Sequence, residues 1–322
     1  MLKRTFLASL MVLLATPAAW AQSPWPDKPV KFILSQPAGS GPDNVARLLG
    51  ERLGKQWGQS VVIDNKPGGQ NTIGAQAAAK APADGHNFYF ATTAALVTNS
   101  YLFKQLPYDP QKDFVPVTFV ARSPFAILVR SDSPVRTVDE LVARSRDMGG
   151  QYTLGNEGAR TFGGMIARLF NARSKAGANL VSYASNGASV QDLLGGHVQA
   201  IVADVASTAA LVKQGRLRML AVTSPQPVPG FESVPMLASQ YPGLDLVGWF
   251  ALVAPAGTPR PVIERVGKDL NVVLSDTDVV QRMAALGPVA VPGWSPDQLG
   301  TFLQEEHARW GALAKEIGVL PE

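Results

Sequence analysis

Glycines and small polar residues follow several predicted strands, in positions where backbone N–H groups can reach an anion. The first of these loops contains Pro37, Ala38, Gly39, Ser40, Gly41 and Asp43. Its glycines allow the backbone to approach a ligand closely, and Ser40 or Asp43 is expected to cap the helix that follows. A helix N-terminus carries free N–H donors and partial positive charge, which favour a carboxylate. A plain glycine-rich connection between strand and helix would have the same sequence.

The loop of residues 155–161 adds a cation to this pattern. Arg160 follows Asn156 and precedes Thr161, directly after a predicted strand. A guanidinium in such a loop can hold a carboxylate with two parallel hydrogen bonds. The alternative is a surface arginine paired with Glu157. We expect Asn156, Arg160 and Thr161 to contact a ligand.

Further candidates occupy the corresponding loops of other strands. They are Gln70, Thr92, Thr93, Tyr183, Ser185, Asn186 and Asp204. Thr92 and Thr93 would offer hydroxyl groups. Asp204 would cap a helix, bond to a partner at the hinge, or hold the ammonium group of an amino-acid ligand. The loop that carries Gln70 lacks the Gly-Lys-Ser/Thr of a nucleotide phosphate loop.

The composition excludes several other chemistries. The chain has no cysteine and only three histidines, His86, His197 and His307, which lack metal-ligand spacing. No Gly-x-Ser-x-Gly elbow accompanies a suitable histidine. Basic residues do not alternate with aromatic ones in the manner of a nucleic-acid surface. We therefore expect neither an enzyme nor a nucleic-acid-binding protein, and we expect no metal and no cofactor.

The first 21 residues have the pattern of a secretory signal peptide. Lys3 and Arg4 precede an apolar run, 6–15, and Ala19-Trp20-Ala21 provides a cleavage site after Ala21. A membrane anchor is the alternative, but a spanning helix needs about 20 apolar residues. Removal of residues 1–21 lowers the formal net charge from +4 to +2 because Lys3 and Arg4 are lost. The sequence thus predicts a periplasmic protein.

The remaining chain is long enough for two lobes of about 150 residues each. Strands are predicted at 30–34, 61–63, 88–90, 126–129, 152–154, 180–181, 200–202, 219–222 and 249–253. Helices are predicted at 43–56, 73–80, 162–173, 190–194, 207–214, 260–274 and 296–317, and one within 133–146 that starts near Thr137. This alternation indicates an α/β protein with a mostly parallel, helix-flanked sheet in each lobe. We assign 22–123 and 245–322 to lobe 1, and 124–244 to lobe 2.

Short motifs throughout the chain resemble the Bug-type receptors of tripartite tricarboxylate transporters. The matching segments are Trp25–Val30, Pro37–Asp43, Asp64–Gly69, Ala83–His86, Asp192–Val198, Gly215–Arg218, Leu220–Ser224 and Ala254–Pro259. The resemblance implies a type II periplasmic-binding-protein fold whose cleft closes by a hinge around a small carboxylate. It also implies delivery to the membrane subunits of a transporter, and we expect the protein to be a monomer. A sensor that docks onto a membrane sensor kinase is the alternative.

The chain departs from the family pattern in two of the ligand loops. The family commonly has Gly-Ser-x-Gly-x-Gly-Ser followed by a histidine, whereas this chain has Gly155 to Thr161 followed by Gly163-Gly164. The family's Tyr-Lys/Arg-Gly is here Tyr183-Ala184-Ser185. The resemblance therefore does not name a particular solute, and Arg160 stands where glycine is common.

Overall fold

A computed structural model describes residues 25–316, 318 and 321 of the chain. The predicted signal peptide, residues 1–21, lies outside the described residues. Within them, no helix combines the length and the apolarity that crossing a membrane requires.

Six strands form the first sheet, in the spatial order β11-β4-β10-β3-β1-β2. In chain order they are β1 (Val30–Leu34), β2 (Val61–Asn65), β3 (Asn87–Thr92), β4 (Phe114–Ser123), β10 (Gly248–Pro255) and β11 (Val289–Ala290). β1 pairs in parallel with β2 and β3, while β10 runs antiparallel to both β3 and β4. The carboxyl ends of β1, β2 and β3 therefore meet at one edge of the sheet.

Five strands form the second sheet, in the order β7-β6-β8-β5-β9. They are β5 (Phe125–Arg130), β6 (Thr153–Asn156), β7 (Asn179–Ser182), β8 (Ala200–Asp204) and β9 (Leu217–Val222). β6 pairs in parallel with β7 and β8, and β5 runs antiparallel to β8 and β9. The ends of β6, β7 and β8 form the second candidate ligand-binding edge.

The helices flank these sheets. They are α1 (Gly41–Trp57), α2 (Thr72–Ala79), α3 (Asn99–Leu102), α4 (Val138–Asp147), α5 (Phe162–Ser174), α6 (Asn186–Gly195), α7 (Val205–Lys213), α8 (Arg260–Leu274), α9 (Thr277–Leu286) and α10 (Pro296–Glu316). Short 3₁₀ turns lie at Gly69–Asn71 and Leu237–Ser239, and a π-helical turn lies at Ala94–Thr98.

Capping residues explain where several helices begin. The side chains of Ser40, Thr137, Thr161, Ser185 and Asp204 accept a hydrogen bond from the backbone three residues later, at the starts of α1, α4, α5, α6 and α7. Each bond satisfies one of the backbone donors that a helix leaves free at its N-terminus. The caps expected at Ser40, Thr137 and Asp204 are therefore present.

Among the residues that the structure describes, one buried apolar cluster spans the two sheets. Ile33 and Tyr89 of the first sheet share a buried cluster with Ile127 and Leu154 of the second. The opposite faces pack separately, in one cluster that includes Phe32 and in another that includes Leu128 and Ile201. Neighbouring residues such as Phe32 and Ile33 fall in different clusters because successive side chains of a strand point to opposite faces of the sheet.

The two-lobe α/β class is confirmed, but the expectation of mostly parallel sheets is wrong. β10 returns to the first sheet from residues 223–247, and β5 follows β4 through Pro124 alone. No crossover helix therefore sets the direction of these strands, and antiparallel pairing results. Both sheets are mixed for this reason.

Several other elements differ from the sequence prediction. β4, β11, α3 and α9 were not predicted, and α6 begins at Asn186 rather than at 190. Pro116 within the β4 run disguised its periodicity, and Ser185 supplies a cap that sequence alone did not assign. By contrast, α8 has the predicted bounds. The lobe boundaries given above stay a prediction.

Candidate functional site

The loop after β1 is held by a buried carboxylate. Asp43 is 1% exposed, and its oxygens accept hydrogen bonds from Gly39 N at 2.8 Å, Arg47 Nε at 2.9 Å and Asn65 Nδ2 at 2.9 Å. Burial acts to raise the pKa of Asp43, but these hydrogen bonds outweigh burial and leave it below its usual value. The Asp43 carboxylate therefore fixes the loop, and Pro37, Ala38 and Gly39 are exposed at its tip.

The loop after β2 contains consecutive left-handed residues. Gln70 has φ 52° and Asn71 has φ 77°, and such positive φ angles are uncommon for residues other than glycine. Asn99 Nδ2 donates to the Gln70 carbonyl at 3.0 Å, and Ser35 Oγ donates to the Asn71 carbonyl at 2.9 Å. These bonds hold the turn against the end of β1.

Gln36 joins the three loops of the first sheet. Its Nε2 donates to Asn71 Oδ1 at 2.9 Å and to Thr92 Oγ1 at 3.4 Å. Thr92 thus lies at this edge with Gln36. Thr93 is 2% exposed, and its hydroxyl accepts from Trp249 N at 2.9 Å. The Thr93 side chain is therefore engaged in attaching β10, whereas Thr92 stays partly exposed.

On the second sheet, the loop after β6 folds back over the start of α5. Asn156 is 1% exposed and its Oδ1 accepts from Gly158 N at 3.0 Å. Thr161 donates to the Gly158 carbonyl at 2.8 Å and caps α5. Asn156 and Thr161 thus define the loop conformation, and Glu157 lies between them.

Asn186 connects two carboxylates at the ends of β6 and β8. Its Nδ2 donates to Glu157 Oε2 at 2.7 Å and also to Asp204 Oδ2. Burial, followed by the charge of Asp204, raises the pKa of Glu157 to about 7. Burial likewise raises the pKa of Asp204, against hydrogen bonds from Ser207 and Asn186 that lower it. Two neighbouring carboxylates in a desolvated position favour retention of a proton.

The loop after β7 contributes mainly through its backbone. Ser185 caps α6 by accepting from Ala188 N at 3.2 Å. Tyr183 Oη donates to Asp192 at 2.8 Å, so the hydroxyl is turned toward α6. Burial and this hydrogen bond raise the pKa of Tyr183 to about 12.

Arg160 lies against the other lobe. Its Cζ is 5.3 Å from the centroid of the Phe103 ring, which follows α3. A guanidinium over an aromatic ring is an attractive contact. Arg160 therefore occupies a position between the lobes.

The ends of α1 and α7 also meet between the lobes. A Cβ placed on Gly41 would lie 2.9 Å from Ala206 Cβ and 3.4 Å from Asp204 Oδ1. Only glycine permits so close an approach of these two helix N-termini. The loops that carry Gly41, Asp204, Asn186 and Arg160 thus converge on the junction of the two sheets, while Tyr183 Oη and Thr93 Oγ1 are bonded elsewhere.

Sequence reasoning did not include three polar residues of this junction among the expected ligand contacts. Gln36 and Asn71 connect the first-sheet loops, and Glu157 lies in the second-sheet cluster. Gln36 directly follows β1 and Glu157 directly follows β6, so the rule that ligands bind at strand ends would have included both. The described residues contain no group of His, Cys, Asp and Glu side chains suited to a metal ion.

Comparison with known proteins places this arrangement among solute receptors. Residues 45–319 match the family model described as tripartite tricarboxylate transporter family receptor. A UPF0065 protein of Bordetella bronchiseptica is 34% identical, over 99% of this chain and 95% of its own. BugT of Bordetella pertussis is 31% identical, over 91% of this chain and 90% of its own.

Solved structures of solute-binding proteins are also similar to this chain. Rpa4515 of R. palustris, described with adipate, has a TM-score of 0.88 at 29% identity and covers 92% of this chain and 100% of its own. The periplasmic binding protein BugD has a TM-score of 0.86 at 28% identity, with the same coverage. MatC of Rhodopseudomonas palustris, with bound malate, has a TM-score of 0.82 at 25% identity and covers 90% and 100%.

Proposed function

The chain belongs to the tripartite tricarboxylate transporter receptor family, a family of solute receptors rather than enzymes, and we propose that it binds a small carboxylate-bearing solute between its lobes. In this proposal residues 1–21 direct export to the periplasm. The loaded receptor then delivers the solute to the membrane subunits of a tripartite tricarboxylate transporter.

One observation carries the proposal. Loops from both sheets converge where Gly41 of α1 approaches Asp204 and Ala206, and α6 begins beside them at Asn186. Ligands of open α/β sheets bind at the carboxyl ends of strands, and helix N-termini favour anions. The similar proteins described with adipate and malate support the same class of solute.

Binding, not bond formation, is the chemistry we propose. Backbone amides of the Pro37–Gly41 loop replace water around a solute carboxylate, and Arg160 adds a charged donor. Thr92, Gln70, Asn156, Thr161, Tyr183 and Ser185 shape the walls around it, with Thr93 and Asp43 behind them. Closure about the solute then forms a new surface for the membrane partner.

A panel of carboxylates tests the proposal on the purified protein lacking residues 1–21. We expect at least one mono- or dicarboxylate to raise Tm, because a ligand at 100 times its Kd stabilises a protein by about 2.7 kcal/mol. Titration calorimetry then gives Kd. If no carboxylate in the panel raises Tm or releases heat, the proposed function is wrong.

Replacement of Arg160 tests the clamp. We expect Arg160→Ala to weaken binding of the best solute by roughly 10- to 100-fold, since hydrogen bonds to charged groups contribute about 1.5–3 kcal/mol. The matched control is Arg216→Ala, because Arg216 is exposed in the turn before β9. Equal Kd values for the two variants would contradict a clamp at Arg160.

A further inference from the structure

The N-terminus of α5 is already occupied by a carboxylate of the protein itself. Glu157 Oε1 accepts a hydrogen bond from Gly163 N at 3.1 Å, in the first turn of α5. The other oxygen, Oε2, accepts from Asn186 Nδ2 at 2.7 Å. The Glu157 side chain therefore lies where the dipole of α5 would otherwise attract an external anion.

Two glycines make this position possible. A Cβ on Gly163 would lie 3.2 Å from Glu157 Cγ and 3.3 Å from its Oε1. A Cβ on Gly164 would lie 2.0 Å from the Gly158 carbonyl oxygen. Because neither position carries a side chain, residues 157–159 fold directly onto the first turn of α5 and bring the carboxylate to it.

A second protein carboxylate occupies the neighbouring helix end. Asp204 Oδ1 accepts from Ser207 N at 2.8 Å at the start of α7, and Oδ2 accepts from Asn186. Asn186 thus directs its amide nitrogen toward two acidic side chains. Its Oδ1 is buried and accepts no hydrogen bond within the part of the chain that the structure describes.

The side chains of Glu157, Asn186 and Asp204 together provide acceptors rather than donors at the starts of α5, α6 and α7. A solute carboxylate placed there would face Glu157 and Asp204, and like charges at close range in a desolvated site repel strongly. A solute N–H group there would instead meet the Asn186 carbonyl oxygen and the carboxylates. An unpaired buried acceptor is costly, so a donor at this position is favoured.

We infer, on the basis of the proposed function, that Glu157 determines which solutes bind. Its side chain supplies one carboxylate from the protein, in the position that a second carboxylate of the solute would otherwise take. The solute then brings a single carboxylate, toward Arg160 and the exposed tip, 37–39, of the loop after β1. Its other end carries a hydrogen-bond donor, such as an amide or an amine, toward Glu157 and Asn186. The chain thereby selects against a dicarboxylate of the same shape.

Matched pairs of solutes test this selection. We suggest succinate, adipate and terephthalate, each against its own monoamide, by calorimetry at pH 8, above the pKa of about 7 of Glu157. We expect the wild-type protein to bind the monoamide of the best-fitting pair at least tenfold more tightly than the diacid. Glu157→Ser removes the carboxylate and is expected to reverse the preference, and Glu157→Gln to abolish it.

The matched control is Glu305→Gln, which removes an exposed carboxylate on α10 and is expected to keep the wild-type preference. Each variant is used for calorimetry once its thermal unfolding is cooperative. If Glu157→Ser does not fold, Glu157→Gln serves as the test because it preserves the shape of the side chain. A wild-type preference for the diacid, or an unchanged ratio in both Glu157 variants, overturns this inference while leaving the proposed function intact. Absence of binding to every carboxylate overturns the proposed function instead.

Discussion

At the scale of single residues, Glu157 gives the protein an unusual dependence of stability on pH. Its pKa is raised from 4.5 to about 7, first by burial and then by the charge of Asp204. Between these pH values the native state retains a proton that the unfolded chain releases. The free energy of unfolding therefore falls as pH rises through this window.

Glu157→Gln is expected to remove this contribution. Relative to the variant, the wild-type protein should lose stability on the order of 2 kcal/mol between pH 5 and pH 8, because one pKa unit corresponds to about 1.4 kcal/mol. Chemical denaturation at several pH values measures the difference directly. Carboxyls with lowered pKa, such as Asp43 and Asp84, act in the opposite direction in both proteins and cancel in the comparison. Parallel pH curves for the two proteins would show that Glu157 titrates normally.

At the scale of elements, the contact between the β6 loop and α5 depends on glycine. Gly164→Ala would place a Cβ 2.0 Å from the Gly158 carbonyl oxygen, so the backbone of the loop or of α5 would have to move. We expect a loss of about 1–3 kcal/mol in the free energy of unfolding, as overpacked cores show. Thermal or urea unfolding measures this loss.

Gly300→Ala provides the control for that substitution. Gly300 lies within α10, and a Cβ there would meet only Pro116 Cγ, at 3.7 Å, which is ordinary contact. Alanine is the better helix former by about 1 kcal/mol, so this variant should be at least as stable as the wild type. If the Gly164→Ala protein were as stable as the Gly300→Ala protein, the loop after β6 would not pack on α5 as described.

At the scale of the whole molecule, the lobes touch at more than one place. Phe162 of α5 packs on Trp310 of α10 with ring centroids 5.2 Å apart, and Arg173 bonds to Glu316. On the α1 and α7 side, Gly41 and Gly287 both approach Ala206. We expect a larger side chain at the contact between Gly41 and Ala206 to hinder closure of the lobes rather than folding.

Gly41→Ala tests this expectation. Its Cβ would lie 2.9 Å from Ala206 Cβ, so the lobes must separate by a few tenths of an ångström. We expect a Kd several-fold higher for the best solute, together with a Tm of the solute-free protein within about 2 °C of wild type, which corresponds to a change below roughly 1 kcal/mol. Small-angle scattering should show less compaction on solute addition than for wild type or for Gly300→Ala. Unchanged affinity would show that this contact does not limit closure.

The sequence by itself determined what depends on neighbours along the chain. The α/β alternation, the caps at Ser40, Thr137 and Asp204, and the bounds of α8 all follow from local propensity and short hydrogen bonds. Ordered motifs also sufficed for the family, which the match over residues 45–319 confirms. The lobe boundaries and the ligand contacts named from sequence stay predictions.

Only the tertiary structure decided which polar groups face one another. Thr92 and Thr93 look equivalent in sequence, but Trp249, 156 residues further along the chain, engages Thr93 alone. Likewise, Asn186 joins Glu157 and Asp204 from loops 29 and 18 residues away. The mixed sheets also arise because β10 returns from the other lobe. Such pairings depend on long-range packing, which local patterns do not encode, and they set the charge and the shape of the cleft.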